Sequence, residues 1–268
     1  MSEPEAAEPA VGTVVANRWR LVERVALEGD TLVFRAEDLK GGKPALLKLL
    51  DARCAASREL AARFDRDART ISRLNHANCV QILDFGIFET RPYLVMQAVA
   101  GRRLGDELGK PQLTPTRATR IATQILEGLR HGHAYGVVHR ELGPDKIWLT
   151  GAANGPDHVK ILDFGLARIS GDDKKRTAAN AFGCLAPEQL QQRTVDQRAD
   201  LFAVGVLLRA MASGQSLPAV DGAAGRPLTP ALQRVVARAL AKDPEQRFAD
   251  AGEFIDELEA IEIGRAHV

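Results

Sequence analysis

The sequence predicts an α+β chain in two parts, a β-rich first hundred residues around one helix and a mainly helical remainder. Three observations predict it. Up to Val99, short runs rich in Val, Leu and Phe alternate with Gly, Asp and Pro turns. After Gly101, apolar residues recur at helical spacing. With 45% of 268 residues hydrophobic, the chain also has enough apolar side chains for a sizeable core.

Ser2–Ala10 is Pro, Glu and Ala without periodicity, and residues 1–17 are expected to be a disordered leader. From Trp19 to Lys48 the runs WRLVERV, TLVFRAED and, after Gly41-Gly42-Lys43-Pro44, ALLKLL read as a small antiparallel sheet. Leu60, Phe64, Ala68, Ile71 and Leu74 then lie at helical spacing over Arg58 to Leu74. Val80 to Val99 returns to strand-like runs broken near Glu89-Thr90-Arg91-Pro92. The first part is thus 18–96, and residues 97–101 form a hinge.

The second part, 102–261, opens its long helix with Thr114 as cap and Pro115 at the first position, with Ala118, Ile121, Ala122, Ile125 and Leu129 along one face. Thr229-Pro230 repeats that start before Leu232, Val235, Val236 and Leu240, and Phe254, Leu258 and Ile261 mark a last helix. Residues 262–268, EIGRAHV, read either as a frayed polar tail or as an artefact, the translation of a sequencing adapter.

Thirty-six Lys plus Arg against thirty-five Asp plus Glu gives a formal +1, so no global charge argument exists for nucleic acid or an anionic membrane. No uncharged run approaches the ~18 apolar residues of a membrane span, and Met1 to Glu8 is acidic where a signal peptide is basic and then apolar. Cys54, Cys79 and Cys184 are odd in number, widely spaced and form no C-x-x-C pair. They read as free thiols in a reducing compartment, and the visible chain as cytoplasmic.

The chemistry concentrates in four stretches. His139-Arg140-Glu141-Leu142-Gly143-Pro144-Asp145-Lys146-Ile147 follows the long helix, Asp163-Phe164-Gly165 and Ala186-Pro187-Glu188 come after it, and Lys48 ends ALLK upstream. This order resembles the protein-kinase signature set. The phrases FDRDARTISRLNHANCV, YLVMQAV, HAYGVVHR and ALAKDPEQRF resemble the bacterial serine/threonine kinases most. The resemblance spans about Arg18 to Ile261 and implies a bilobal protein-kinase-like fold, with a small β-rich N-lobe carrying one helix and a larger α-rich C-lobe. Leu-Asp-Phe-Gly occurs twice, at Leu83 to Gly86 and Leu162 to Gly165, but only the second lies between the HR loop and Ala-Pro-Glu. Asp84 is therefore read as a strand-end turn residue.

By the same resemblance, Lys48 and its helix partner Asp67 serve nucleotide phosphates, Asp163 holds Mg²⁺, and Glu141 stands at the catalytic base; Lys48, Asp67 and Asp163 read either as a surviving nucleotide site or as a satisfied charge cluster. Glu188 and Arg247 match a buried ion pair, and Asp200 a support of the catalytic-loop backbone. The departures are as telling. Glu141 replaces Asp, Gly143 replaces Lys, and Lys146 replaces the metal-binding Asn, while Ala26, Glu28 and Thr31 stand where the family has three glycines. Glu141 still accepts a proton, with a reference pKa of about 4.3 against about 3.9 for Asp. Its extra methylene shifts the carboxylate, however, and a ~1 Å misplacement costs on the order of 10²-fold. Glu28 points a negative charge at phosphate, and Lys146 removes a metal ligand, repels the metal and is placed to pair with Asp163.

Leu46 and Trp148 stand where the family has smaller residues above and below the adenine, so the slot is expected to be occluded. Asp67 is one methylene shorter than the usual Glu. Asn180-Ala181 lacks the bridging Thr, and Gly214 to Leu228 is too short for a substrate-docking helix. Thr177, after Lys174-Lys175-Arg176, is a phosphorylation candidate or a solvated loop residue. The expectation is a degenerate kinase, a pseudokinase acting as scaffold or allosteric partner of signalling proteins, with no cofactor. The alternative is a slow serine/threonine kinase using Lys48, Asp163 and Glu141 with ATP and Mg²⁺.

Overall fold

A computed structural model describes residues 8–28, 30–151, 155–165, 182–217 and 225–266, with the side chains of 263–266 excepted. The chain divides into two units, one with the residues up to Asn75 and Val80–Ala98, the other with His76–Cys79, 99–165 and the described residues from 182 onward. The chain passes from the first unit to the second after Ala98.

In the first unit, strands β1 (Val14–Val15), β2 (Trp19–Glu28), β3 (Thr31–Asp38), β4 (Pro44–Leu50), β5 (Ile82–Phe88) and β6 (Arg91–Gln97) form an antiparallel sheet in the order β1-β2-β3-β4-β6-β5. A strand alternates its side chains between two faces. Trp19, Leu21, Phe34, Leu47, Leu49, Tyr93 and Val95 accordingly make one apolar cluster, while Leu46 and Lys48 share the opposite face of β4. Helix α1 (Ala52–Ala55) and helix α2 (Arg58–Ile71) follow β4. Ser57 caps α2 by accepting from Leu60 N, and Phe64, Ala68 and Ile71 are its buried face.

Two expectations are corrected here. The leader does not extend to residue 17, because Val14 and Val15 pair with Arg20 and Trp19, and Val15 is fully buried in the apolar cluster. Asp84 is no strand-end turn residue either; it lies within β5 beside a bulge. Its Oδ2 accepts from Trp19 Nε1 at 2.7 Å and its Oδ1 from Phe85 N at 2.9 Å. The indole N–H buried by the sheet needs an acceptor, and Asp84 supplies it. Burial and this carboxylate push the Tyr93 hydroxyl up to about 12.

The second unit holds β7 (Arg102–Arg103), α3 (Leu104–Glu107), α4 (Pro115–Ala134), β8 (Ile147–Thr150), β9 (His158–Ile161), α5 (Pro187–Leu190), α6 (Arg198–Ser213), α7 (Pro230–Ala239) and α8 (Ala251–Ala266). Strands β7, β8 and β9 form a small sheet in that order. Gly101 enters it so closely that a Cβ would lie 2.4 Å from the Leu149 carbonyl oxygen. Thr114 and Thr229 cap α4 and α7 through the amides of Arg117 and Leu232, and a proline follows each cap. Helix α6 is apolar almost all round, as a helix packed on several sides must be, and it packs against α4 and α7.

The frayed reading of the tail is corrected as far as Ala266, because α8 continues to that residue, with Glu262 Oε1 4.0 Å from Arg120 Nε on α4. All three thiols are free, and burial raises the Cys79 and Cys184 thiols to about 12. Among the described residues no helix is long and apolar enough to cross a membrane.

Arg247 and Glu188 form a bidentate pair with both contacts at 2.7 Å and side-chain exposures of 0% and 6%. Arg247 also donates to the carbonyls of Ala241, Arg198 and Lys242. Removing one partner strands a buried charge, so Glu188→Gln or Arg247→Ala is expected to cost ~3–5 kcal/mol. Arg69→Ala, which breaks a solvated pair with Asp65 on α2, should leave the urea midpoint unchanged. Urea melts of the three variants check this, and equal losses in all three would contradict it.

Candidate functional site

On the first unit the site begins with the hairpin between β2 and β3. Glu28 ends β2 and pairs across the turn with Thr31. Lys48, in mid-sheet on β4, lies opposite Val33 of β3 and Leu94 of β6. The Glu28 side chain reaches over β3 to it, and Lys48 Nζ donates to Glu28 Oε2 at 2.6 Å. The lysine side chain is 9% exposed and the glutamate 45%. Leu46 is half-buried two residues before Lys48, and Asp67 is half-buried on α2.

On the second unit, the buried Asp200 of α6 organises the HR loop. Its Oδ2 accepts from His139 N at 2.8 Å, its Oδ1 from Arg140 N at 2.7 Å, and His133 Nε2 lies 2.8 Å from Oδ2. These bonds hold Arg140 at φ 70°, a conformation that non-glycine residues rarely adopt. The carbonyl of Arg140 in turn accepts from Gln189 Nε2 at 2.6 Å. His139 is fully buried, Nε2–H donates to the Leu162 carbonyl at 2.8 Å, and burial pushes the imidazole below its ordinary pKa. Its ring stands 5.1 Å from Phe164, whose ring packs on Gly132 of α4.

From this loop the chain runs through the half-buried Glu141 to Lys146 and β8. Lys146 N donates to the Gly143 carbonyl and Leu162 N donates to the Lys146 carbonyl, in step with the Ile147 to Ile161 pairing of β8 and β9. That register brings Lys146 Nζ to 2.7 Å from Asp163 Oδ2 and 3.7 Å from Asp145 Oδ2. Trp148, half-buried on β8, carries the Arg103 guanidinium 5.5 Å over its ring.

The structure thus places Glu141, Asp163, Lys146 and Trp148 on the second unit and Lys48, Asp67 and Leu46 on the first. Gly29, Ser170, Thr177, Asn180, Ala181 and part of the Gly214 to Leu228 segment lie outside the described residues. The sequence reading foresaw the Lys146 pairing with Asp163. It missed that Glu28 binds Lys48, which depends on strand register, and that Gly132 seats Phe164. The latter had a faint signal, since Gly132 interrupts the last turns of an otherwise strong helix.

Two internal ion pairs stand at these positions, one on each unit. The lysine that answers phosphate in the family donates to an internal carboxylate, and the carboxylate that answers the metal accepts from an internal ammonium.

Fold and site together define a protein-kinase-like domain with a β-rich lobe and a helical lobe. Comparison with known proteins agrees. The protein kinase domain family matches residues 29–251. Serine/threonine-protein kinase pkn3 of Myxococcus xanthus is 36% identical over 283 residues, covering 95% of this chain and 52% of that protein. Serine/threonine-protein kinase Pkn1 of the same organism is 35% identical over 277 residues, covering 95% and 40%. The crystal structure of the Mycobacterium tuberculosis PknI kinase domain shares the fold, with a TM-score of 0.73 at 24% identity over 95% of this chain and 99% of that one. The chain belongs to the protein kinase family, and it spans about half or less of the length of these curated relatives.

Two expected outcomes test the site's packing. A Cβ at Gly132 would lie 2.3 Å from Phe164 Cε1. Gly132→Ala should therefore lose roughly 1–3 kcal/mol from overpacking, although Gly→Ala within an open helix gains up to about 1 kcal/mol. A rise in the melting temperature would refute the seat.

The second outcome concerns pH. Burial lowers the pKa of His139, and burial with the stacked His131 lowers that of His76. In the unfolded chain these groups protonate near pH ~6.5, so below that value the unfolded state binds more protons. Stability should be fully present above that pH and fall as the pH drops from ~7 to ~5. The urea midpoint of His139→Gln should fall less steeply over the same range, and parallel slopes would contradict the assignment.

Proposed function

We propose that this domain is a degenerate protein kinase acting in cytoplasmic signalling as a scaffold or allosteric partner, with little or no phosphoryl transfer and no resident Mg²⁺-ATP. The observation that carries this reading is the Glu28 carboxylate 2.6 Å from Lys48 Nζ. A phosphate has to displace a matched anion from a nearly buried cation, and it meets the repulsion of Glu28 once it has done so. Lys146 on Asp163 and the missing cation at Gly143 support the same reading. Leu46 and Trp148, each larger than the family's residue, support an occluded adenine slot. The retained ion pair of Glu188 and Arg247 and the bonds of Asp200 maintain a fold, and fold alone does not confer transfer. Three free thiols support a reducing compartment.

A second reading, a slow serine/threonine kinase using Glu141 in place of Asp, is favoured by the names of the relatives and by the carboxylate that Glu141 keeps. Titration of the purified domain with ATP, with and without Mg²⁺, separates the two. The expected result is no saturable rise in melting temperature, since a ligand stabilises only a fold that binds it. A rise with Mg²⁺-ATP, together with labelling of a generic protein acceptor, would establish the slow kinase instead.

Glu141→Asp alone should not create robust turnover, because positioning and charge stabilisation are supplied by several groups acting together. The joint change Glu141→Asp, Gly143→Lys, Lys146→Asn and Trp148→Leu should raise acceptor labelling above that of the single variant. Ordinary kinase turnover from Glu141→Asp alone would overturn the reading.

A further inference from the structure

The ammonium of Lys146 lies between two carboxylates, 2.7 Å from Asp163 Oδ2 and 3.7 Å from Asp145 Oδ2. Asp145 Oδ1 is buried and accepts no hydrogen bond among the described residues. A buried carboxylate oxygen left in that state is costly, and its neutralisation rests on nearby positive charge. Lys146 and Asp163 are both fixed by backbone bonds at or beside them. Lys146 is held through its own N–H to Gly143 and its carbonyl from Leu162. Asp163 follows Leu162, whose carbonyl is tied to His139, and precedes Phe164, which is seated on Gly132.

Two carboxylates facing one point make the donor arrangement that a hard divalent cation takes, with oxygens at about 2.0–2.6 Å. Here one positive charge on a tethered side chain stands at that point. With side-chain exposures of 20% for Lys146 and 11% for Asp163, water screens the pair only partly. An incoming ion must therefore displace an attached cation or endure its repulsion.

We infer that Lys146 is a built-in counter-cation standing in a divalent-metal position between Asp163 and Asp145, and that it keeps this site metal-independent. The inference rests on the reading of a degenerate kinase and deepens it. Asp145 becomes a member of the site, and the block to Mg²⁺ is assigned to one side chain. Replacing Lys146 with an uncharged residue leaves both carboxylates facing a vacated cation position, and a latent metal site opens.

The test uses MnCl₂ as probe, with no nucleotide present, and follows free Mn²⁺ by electron paramagnetic resonance on the whole chain. The native protein and Lys146→Arg, which keeps the cation, should remove little Mn²⁺ from solution. Lys146→Asn should bind one Mn²⁺ at least about tenfold more tightly, in competition with Mg²⁺. Adding Asp163→Asn should abolish the gain, and adding Asp145→Asn should weaken it. Lys146→Gln serves as the second uncharged variant should Lys146→Asn fold poorly, with circular dichroism reporting the fold. Equal Mn²⁺ binding by the native protein and Lys146→Asn would overturn the inference. A folded uncharged variant with no gain, or a gain that survives Asp163→Asn, would overturn it too. Phosphoryl transfer by the native protein would sink the degenerate-kinase reading and leave these Mn²⁺ results to decide the inference separately.

Discussion

The second unit depends on one buried carboxylate. Asp200 takes two backbone N–H groups of the HR loop and faces a histidine ring nitrogen, and this holds Arg140 in a left-handed conformation. An unpaired buried carboxylate is expensive, and charge-assisted bonds are the strong ones. The loop conformation and the burial of Asp200 therefore require each other. Downstream, the turn at Gly143 and the register of β8 against β9 bring Lys146 to Asp163. A site that has changed its charges has kept the frame that presented them.

The changed charges are complementary. Glu28 supplies a negative group to a lysine that answers phosphate in related proteins, and Lys146 supplies a positive group to an aspartate that answers metal. Neither residue leaves its partner unanswered, since Lys48 and Asp163 keep counter-charges. Loss of one partner, by contrast, leaves a buried charge alone and lowers stability. A chain can carry such changes without unfolding.

Much of the architecture was legible in the sequence because it rests on local signals. The caps at Thr114 and Thr229, the period of α4 and the alternation in β2 to β4 need no knowledge of distant residues. The family motifs likewise placed Glu188 against Arg247 and Asp200 under His139. What escaped was non-local. Asp84 looked like a turn residue because its partner Trp19 is 65 positions away, and Val14–Val15 looked like leader because two residues carry no period. The reach of Glu28 to Lys48 spans three strands, so it exists only once the sheet register is set. Past residue 261 the partner is again distant in sequence, since Glu262 lies 4.0 Å from Arg120 on α4.

The buried thiols give the second unit a reporter of its own motions. Only a thiolate attacks an alkylating reagent, and Cys79 and Cys184 are both enclosed and raised to about 12. At neutral pH the folded form is therefore nearly inert at both positions, and a reagent reacts there chiefly through transient opening. The rate of their modification measures how often that unit breathes. Any partner or ligand that steadies it will be visible as a slowing of cysteine chemistry, without a substrate having to be known.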